Sequence, residues 1–361
     1  MQSPAVQAPC TGLMLAQRGW DIVGGRMKSR RLDLLHVLEA AYQLESSHEE
    51  WLKSVAEAVR PHLDDTFGLA AFEFERTGDE PPTILQSQHL WMPEALAAVY
   101  PGMFASMSPE LRVRPFKLGP CVSGSEMMNM KAEFADLPQM KNGLQKFGMF
   151  DSIWITATDP AGRGCGFHAG RKAIGWTKPA EKRTWGQLAA HLASALRLRY
   201  RMREGEARAP LAAVFDPSGK LHDATGDAQE ADARGTLRDA VLKIEKARGR
   251  QRLNAPTEAL GSWQALVAGK WSLVDQVELD GRRYIVAREN EPRARGPSAL
   301  SPRERQVLGY AQLGHHDKLI AYELGIEPST VRVLMGRVKS KLGVRTRAEL
   351  LKRADEAPAQ R

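Results

Sequence analysis

The sequence predicts an α+β multidomain chain, an N-terminal α/β region followed by an all-α, four-helix C-terminal domain. Three observations carry that prediction. The 361 residues exceed what one core of roughly 100 to 200 residues organises. Hydrophobic residues make up 43% and charged residues 26%, the balance of an ordinary globular chain, which excludes wholesale disorder and fibrous repeats. Helical and strand periodicities alternate as far as about residue 290 and become purely helical from residue 298.

Composition bounds the function classes. No stretch approaches the roughly 20 apolar residues that span a bilayer, and the short run Leu13–Ala16 is no signal-peptide core. The expectation is a cytoplasmic protein without a membrane partner. Cys10, Cys121 and Cys165 are odd in number and lack any CxxC spacing, so neither a disulfide framework nor a metal site is expected. They read as buried small apolar residues or free thiols. The net charge of +8 is unevenly distributed: residues 327–353 hold eight basic side chains against Glu327 and Glu349. Such density favours a polyanionic partner.

Residues 1–28 lack periodicity and read as a mobile N-terminal arm, within which Met27 is an alternative start to Met1. Residues 29–205 form the first α/β unit. Leu32, Leu35 and Leu38 share a helix face, and Ser47 with Glu50 makes a capping box ahead of Trp51, Leu52, Val55 and Val59. Residues 67–75 read as a strand. Residues 153–158 and 164–171, joined by the turn at 159–162, read as a hairpin. A long helix follows from about Lys178 to Arg203. It ends in Arg197, Arg199, Arg201 and Arg203, whose spacing of two spreads them around the cylinder as a solvated helix end.

Residues 206–290 form a second, smaller α/β unit. Its strand at 211–215 leads to a turn at 216–219 and a helix over 237–247. A hairpin of 271–279 and 282–288 closes it, turning at Asp280-Gly281, a pair suited to a type I′ turn. Residues 291–297 are a Pro/Gly/Arg linker.

The C-terminal domain, 298–361, is the most legible part. Ser301, Pro302 and Glu304 form a capping box with proline at the first helical position. Gly314 ends that helix. A second from Asp317 presents Ile320, Ala321 and Leu324 and stops at Gly325. The third, Pro328 to about Leu342, buries Val331, Met335, Val338 and Leu342 and turns Arg332, Arg337, Lys339 and Lys341 outward. Thr346 and Glu349 cap a fourth. A cationic amphipathic helix across a short turn from another fits helix-turn-helix recognition of the major groove.

The segments LSPRERQVL, AQLG, DKLIAYELGI, STVRVLMGRVKSKLGV and RTRAELL resemble the DNA-binding domain of LuxR-type (LuxR/FixJ) transcription regulators over about residues 298–354. The resemblance implies groove contacts from Arg332, Val333 and Arg337 and phosphate contacts from Thr330 and Lys341. Val331, Lys318 and Arg345 complete the expected DNA-binding set, and Leu350, Leu351 and Ala354 are the expected dimerisation stripe. Two positions depart from the family pattern: Glu327 stands where a serine cap is usual, and Leu334 where histidine is usual. Both argue for an altered sequence preference more than for lost binding.

The implied function is a dimeric regulator on double-stranded DNA, with RNA polymerase a further partner. A sigma-factor region four shares the two-helix motif, but the GVRTRAELL extension argues against it. The front region lacks the doubly wound order of a receiver domain. Residues 148–167 loosely resemble the sheet of GAF or autoinducer-binding sensors, and 206–290 are PAS-like. Trp91, Tyr100, Asp151 and Trp154 are the candidate ligand-pocket residues, alongside the plainer reading of aromatics as core. Control by a small molecule and control by a partner protein are both compatible with the sequence. His168 and His191 read as packed or surface histidines. No P-loop, GxSxG, HExxH or Rossmann fingerprint occurs, so neither an enzyme nor a cofactor is expected.

Overall fold

The computed structural model describes residues 20–23, 26–29, 33–78, 80–129, 138, 140–203, 211–263, 271–277, 281–294 and 296–356. The expected arm lies mostly outside them. Its last part pairs as a hairpin, β1 (Trp20–Val23) with β2 (Arg26–Ser29), where the sequence suggested no element.

Two helices open the first unit, α1 (Leu34–Ala41) and α2 (His48–Leu63). The Ser47 hydroxyl accepts from Glu50 N–H while the Glu50 carboxylate accepts from Ser47 N–H, the reciprocal cap that the sequence predicts. Trp51, Leu52, Val55 and Val59 are fully buried, and the Trp51 indole N–H donates to Ala41 O at 2.8 Å.

The sheet beside them has five strands: β3 (Leu69–Glu75), β4 (Thr83–Leu90), β5 (Cys121–Ser123), β6 (Asp151–Thr158) and β7 (Arg163–Arg171). Their order is β4-β3-β7-β6-β5, with every neighbouring pair antiparallel. Between β4 and β5 run α3 (Glu94–Ala105) and α4 (Pro109–Val113), and α5 (Gly124–Met127) follows β5. The long helix is α6 (Pro179–Arg203).

Strand alternation divides the sheet into two unlike faces. Leu69, Ala71, Ile153, Ile155, Cys165, Phe167 and Ala169 point into the core shared with α1, α2 and α6. On the other face β7 carries only Gly164, Gly166, His168 and Gly170. Across those glycines lie the rings of Phe74 and Phe72 and the Met149 side chain; a Cβ at Gly166 would fall 2.5 Å from Phe72. Missing side chains on one strand thus make room for aromatic rings from its neighbour.

The second unit holds β8 (Leu211–Phe215), β9 (Leu221–Ala224), β10 (Trp271–Val277) and β11 (Arg283–Glu289) in the order β10-β11-β8-β9. Helices α7 (Ala231–Lys246), α8 (Arg252–Asn254) and α9 (Pro256–Ser262) accompany it. Asp280 lies outside the described residues, while Gly281 has the positive φ of +76° that a type I′ turn requires. One apolar core runs from α1 and α2 through α6 into this sheet. Arg252 adds a charged tie, its guanidinium meeting both Asp33 and Glu39.

The C-terminal unit is α10 (Pro302–Gln312), α11 (Asp317–Leu324), α12 (Pro328–Leu342) and α13 (Arg347–Glu356), around its own core of Val307, Leu308, Ile320, Leu324, Val331, Val338 and Leu350. The α+β multidomain class expected from sequence is the one observed. Cys121 and Cys165 are free and buried, and Cys10 lies outside the described residues. Among those residues no helix is long and apolar enough to cross a membrane, and no cluster suited to a metal occurs.

The arginine-rich end of α6, expected to be solvated, is so only at its last residue, Arg203, which is exposed; the arginines are tied down by hydrogen bonds. Offsets of four pair the arginines on two faces. Arg197 and Arg201 reach the end of the second unit: Arg197 to Asn290 Oδ1 at 2.9 Å and Asn290 O at 3.0 Å, Arg201 to Glu289 O and Glu291 O. Arg199 and Arg203 reach the loop between α1 and α2. Arg199, only 1% exposed, donates to Gln43 O at 2.6 Å, Ser46 O at 2.7 Å and Ser47 O at 3.1 Å. It also lies over the Trp51 ring. The even spacing that seemed to scatter the charges is what lets one helix end hold two loops.

Replacing Arg199 with Met keeps the stem's packing but strips donors from three part-buried carbonyls, each costing up to about 1 kcal/mol when left to compete for water. A loss of about 3 kcal/mol in urea unfolding is expected, and a loss below about 0.5 kcal/mol would mean that water replaces the guanidinium.

Candidate functional site

α11 begins where the His316 ring accepts from Leu319 N–H at 3.2 Å and ends at Gly325 in the left-handed region, φ +61°. That glycine reverses the chain into Pro328, the first position of α12. α12 then buries Val331, Leu334, Met335 and Val338 against α10 and α11. Its opposite side presents Ser329, Arg332, Val333, Gly336, Arg337, Ser340 and Lys341, all exposed. Steps of three and one keep these seven residues on one ridge. The ridge contains no carboxylate.

Of the expected DNA-binding residues, Thr330, Arg332, Val333, Arg337, Lys341, Lys318 and Arg345 are exposed. Val331 is fully buried in the domain core and cannot reach a groove without unpacking its own helix. Both departures from the family pattern have visible effects. Glu327 precedes α12 without a side-chain capping bond, and Leu334 is buried instead of polar and available. Lys341 Nζ lies 2.7 Å from Glu304 Oε2, the same oxygen that accepts from Ser301 N–H at 2.8 Å. Lys341 and that cap hold the Glu304 carboxyl below its ordinary range.

The expected dimerisation stripe is divided as well. Leu350 is fully buried in the domain's own core, and Leu351 is half-buried beside it. Of Ala354 only the helical backbone is described. α13 is capped as the sequence predicts, the Thr346 hydroxyl accepting from Glu349 N–H and the Glu349 carboxylate from Arg345 N–H.

The side of the domain away from the ridge docks on the front region. Leu319 and Tyr322 pack on Ala190 of α6, with the Leu319 methyls lying over Gly186. His191 Nε2 and the Tyr322 hydroxyl share a hydrogen bond of 2.8 Å. Gly309 meets Pro160 of the β6–β7 turn, and Gly314, at φ +77°, meets residues 117–119; a Cβ there would fall 2.2 Å from Lys117 O. The Gln306 amide donates to Pro292 O at 2.7 Å, fastening the linker. Beneath this surface His315 and Glu323 form a buried pair at 2.8 Å. His191 is therefore a packed histidine at a seam between units.

The candidate ligand-pocket residues separate. Tyr100 and Trp154 line one cavity of about 380 Å³ between the glycine-bearing sheet face and the α3–α4 segment. Asp151 borders a smaller neighbouring space of about 90 Å³, which Trp154 also lines, so of these candidates only Trp154 belongs to both. The Asp151 carboxylate is committed to Ser125 N–H and hydroxyl, Ser152 N–H and Gly175 N–H at 2.7–3.0 Å. Trp91 is 38% exposed, lies under the Arg60 guanidinium and lines neither space. Sequence reasoning missed Phe72, His89, Arg112 and Phe116 in the larger wall. The alternating glycines of β7 were the one available signal for it.

Residues 298–354 match the family model described as bacterial regulatory proteins, luxR family, so this segment is a luxR-type helix-turn-helix domain. The chain is similar to the transcriptional regulatory protein MctR of Rhizobium johnstonii, 41% identical over 59 residues that make up 16% of this chain and 28% of MctR. It thus matches less than a third of that relative's length. Among solved structures it is similar to the photoproduct state of GAF3 from Slr1393 of Synechocystis, at 14% identity and a TM-score of 0.31, over 44% of this chain and 99% of that one.

Burial pushes the His191 pKa down to about 3, against about 6.5 in an unfolded chain. Between those values the unfolded state binds the extra proton, so this contribution is complete above pH 6.5 and is lost as pH falls toward 3. His191→Gln, which can still bond Tyr322, should flatten the fall in stability between pH 6 and 4 by about 1.4 kcal/mol per pH unit. Unfolding curves at both pH values check it; an unchanged slope would mean that water reaches the ring.

Proposed function

We propose that a chain built around this luxR-type domain is a DNA-binding transcriptional regulator that lays α12 in the major groove of a two-fold operator and is controlled through its N-terminal region. The carboxylate-free exposed ridge from Ser329 to Lys341 carries this reading. At about 1.5 Å per residue it runs some 18 Å, and a helix fills a groove about 12 Å wide. Arg332, Val333 and Arg337 sit mid-ridge, where base edges are met. Gly336 between them presents no side chain, and open space surrounds it, so the backbone can approach the duplex closely. Thr330, Lys318 and Arg345 beside the ridge and Lys341 at its end serve as phosphate contacts.

Two-fold binding asks for a homodimer with half-sites about 10 base pairs apart. Leu351 on α13, only half-buried in the protomer, is the residue available to a twin. Control through the front region is supported by the path of the chain. Residues 111–116 wall the larger cavity, and residues 117–119, directly after them, touch the α10–α11 turn at Gly314. A shift in that wall is delivered to the domain within three residues.

Selection from random duplexes should enrich one sequence class. Arg332→Ala should cost about 1–3 kcal/mol on the selected site and little on random DNA, whereas Lys341→Ala should weaken both and reduce the slope of log affinity against log salt. Equal losses on both duplexes from Arg332→Ala would overturn the division of roles, and enrichment of nothing would overturn the function. Leu351→Asp should halve the sedimenting mass.

Gly314→Ala places a methyl into Lys117 O at a positive φ, which costs about 1–2 kcal/mol before any clash. It should loosen the seam, seen as faster proteolysis after Arg293, and change operator affinity. Unchanged affinity with a loosened seam would separate the front region from control.

A further inference from the structure

The cavity of about 380 Å³ is more than twice the roughly 150 Å³ space that accepts a single benzene ring, and it falls within the range of small-molecule sites. Four rings line it: Phe72, Phe116, Tyr100 and Trp154. Two of these rings meet edge to face, Phe72 with Trp154 at 6.3 Å between centroids, and Phe116 is backed edge to face by Phe74, behind the wall, at 4.7 Å, so the rings are held by packing on one another and on the core. At the mouth, Ile84 is 49% exposed on the edge strand β4, an apolar side chain left open to water at the cavity rim.

The polar groups around this space decide the charge of its occupant. No carboxylate lines it. A cation would find aromatic faces but no counter-ion, and would also face Arg112, which stands exposed at the rim. Among the described residues Arg112 makes no ion pair. Burial holds the His89 ring below its ordinary pKa, so at neutral pH it enters as a neutral hydrogen-bonding group beside Ser87. An apolar aromatic box with one cation at its lip accepts a flat apolar body and an anionic head.

We propose that this cavity binds an aromatic carboxylate of about two-ring size, with the rings between Phe72, Phe116 and Trp154 and the carboxylate at Arg112. This ligand class deepens the proposal of control through the front region and rests on it for its regulatory meaning. Occupancy bears on the wall formed by residues 111–116, which continues directly to the seam at Gly314.

The test is calorimetric titration of the full chain with 2-naphthoate, 2-naphthalenemethanol and 2-naphthylmethylammonium. One site per chain is expected, with 2-naphthoate bound about tenfold more tightly than the alcohol, the size of a partly exposed charge-assisted bond, and the ammonium bound weakest. Arg112→Ala, at an exposed position and with its fold checked by circular dichroism, should erase the preference for naphthoate over the alcohol. Ser87→Trp should fill the space and abolish all three. No binding of naphthoate, equal or tighter binding of the ammonium, or undiminished binding to a folded Ser87→Trp chain would each overturn the proposal. Operator binding measured on the same preparations separates the two readings: a chain that selects duplex DNA but takes no naphthoate loses only the ligand, and one that takes naphthoate but no DNA loses only the regulator.

Discussion

The guanidinium of Arg197, its side chain only 10% exposed, ties the units together. Arginine stays charged in proteins, so removing it from water has to be compensated by partners, and all of them have to be present at once. Here they come from separate places: Asp159 in the β6–β7 turn and Asn290 at the end of the second unit, with the Tyr310 hydroxyl of α10 in the same buried group. Asn290 in turn donates to Ser194 O, Ser194 Oγ and Ser272 Oγ. Withdrawing any one segment leaves a charge or an amide stranded, which makes assembly of the units cooperative.

α6 is consequently a shared spine more than an element of one domain. Its middle buries Leu188, Leu192 and Leu196 in the common core, its outer face receives α11 through Ala190 and His191, and its end holds two loops through four arginines. The helix-turn-helix domain is held by its scaffold helices, and α12 points its ridge away from that contact. Docking of this kind fixes where the ridge aims without covering it.

Legibility in the sequence followed the range of the interactions involved. The capping boxes at Ser47–Glu50 and Ser301–Glu304, the α12 boundaries and the 159–162 turn are set by residues a few positions apart, and each was readable. β4 was not: its burial alternates weakly, with Ile84 and Leu85 both half exposed, because it is an edge strand over a cavity. The destination of the α6 arginines depends on carbonyls more than 80 residues away, which no local pattern encodes. Within the candidate site, the ridge was legible from its 3.6 period. Val331 and Leu350 were misplaced because an apolar residue on an amphipathic helix reads equally as core or as contact until its neighbours are known.

The bond between Lys341 and Glu304 has one further consequence. To meet a phosphate as proposed, Lys341 would have to trade its Glu304 partner for that phosphate, and the freed carboxylate would gather a cation from solution. Part of the ion release that a free lysine gives would thereby be offset, so Lys341 would add less than one full phosphate contact to the salt dependence. Under the proposed reading, affinity would fall less steeply with ionic strength than the cation count along α12 implies, and the first turn of α10 would give up one partner of its cap in exchange.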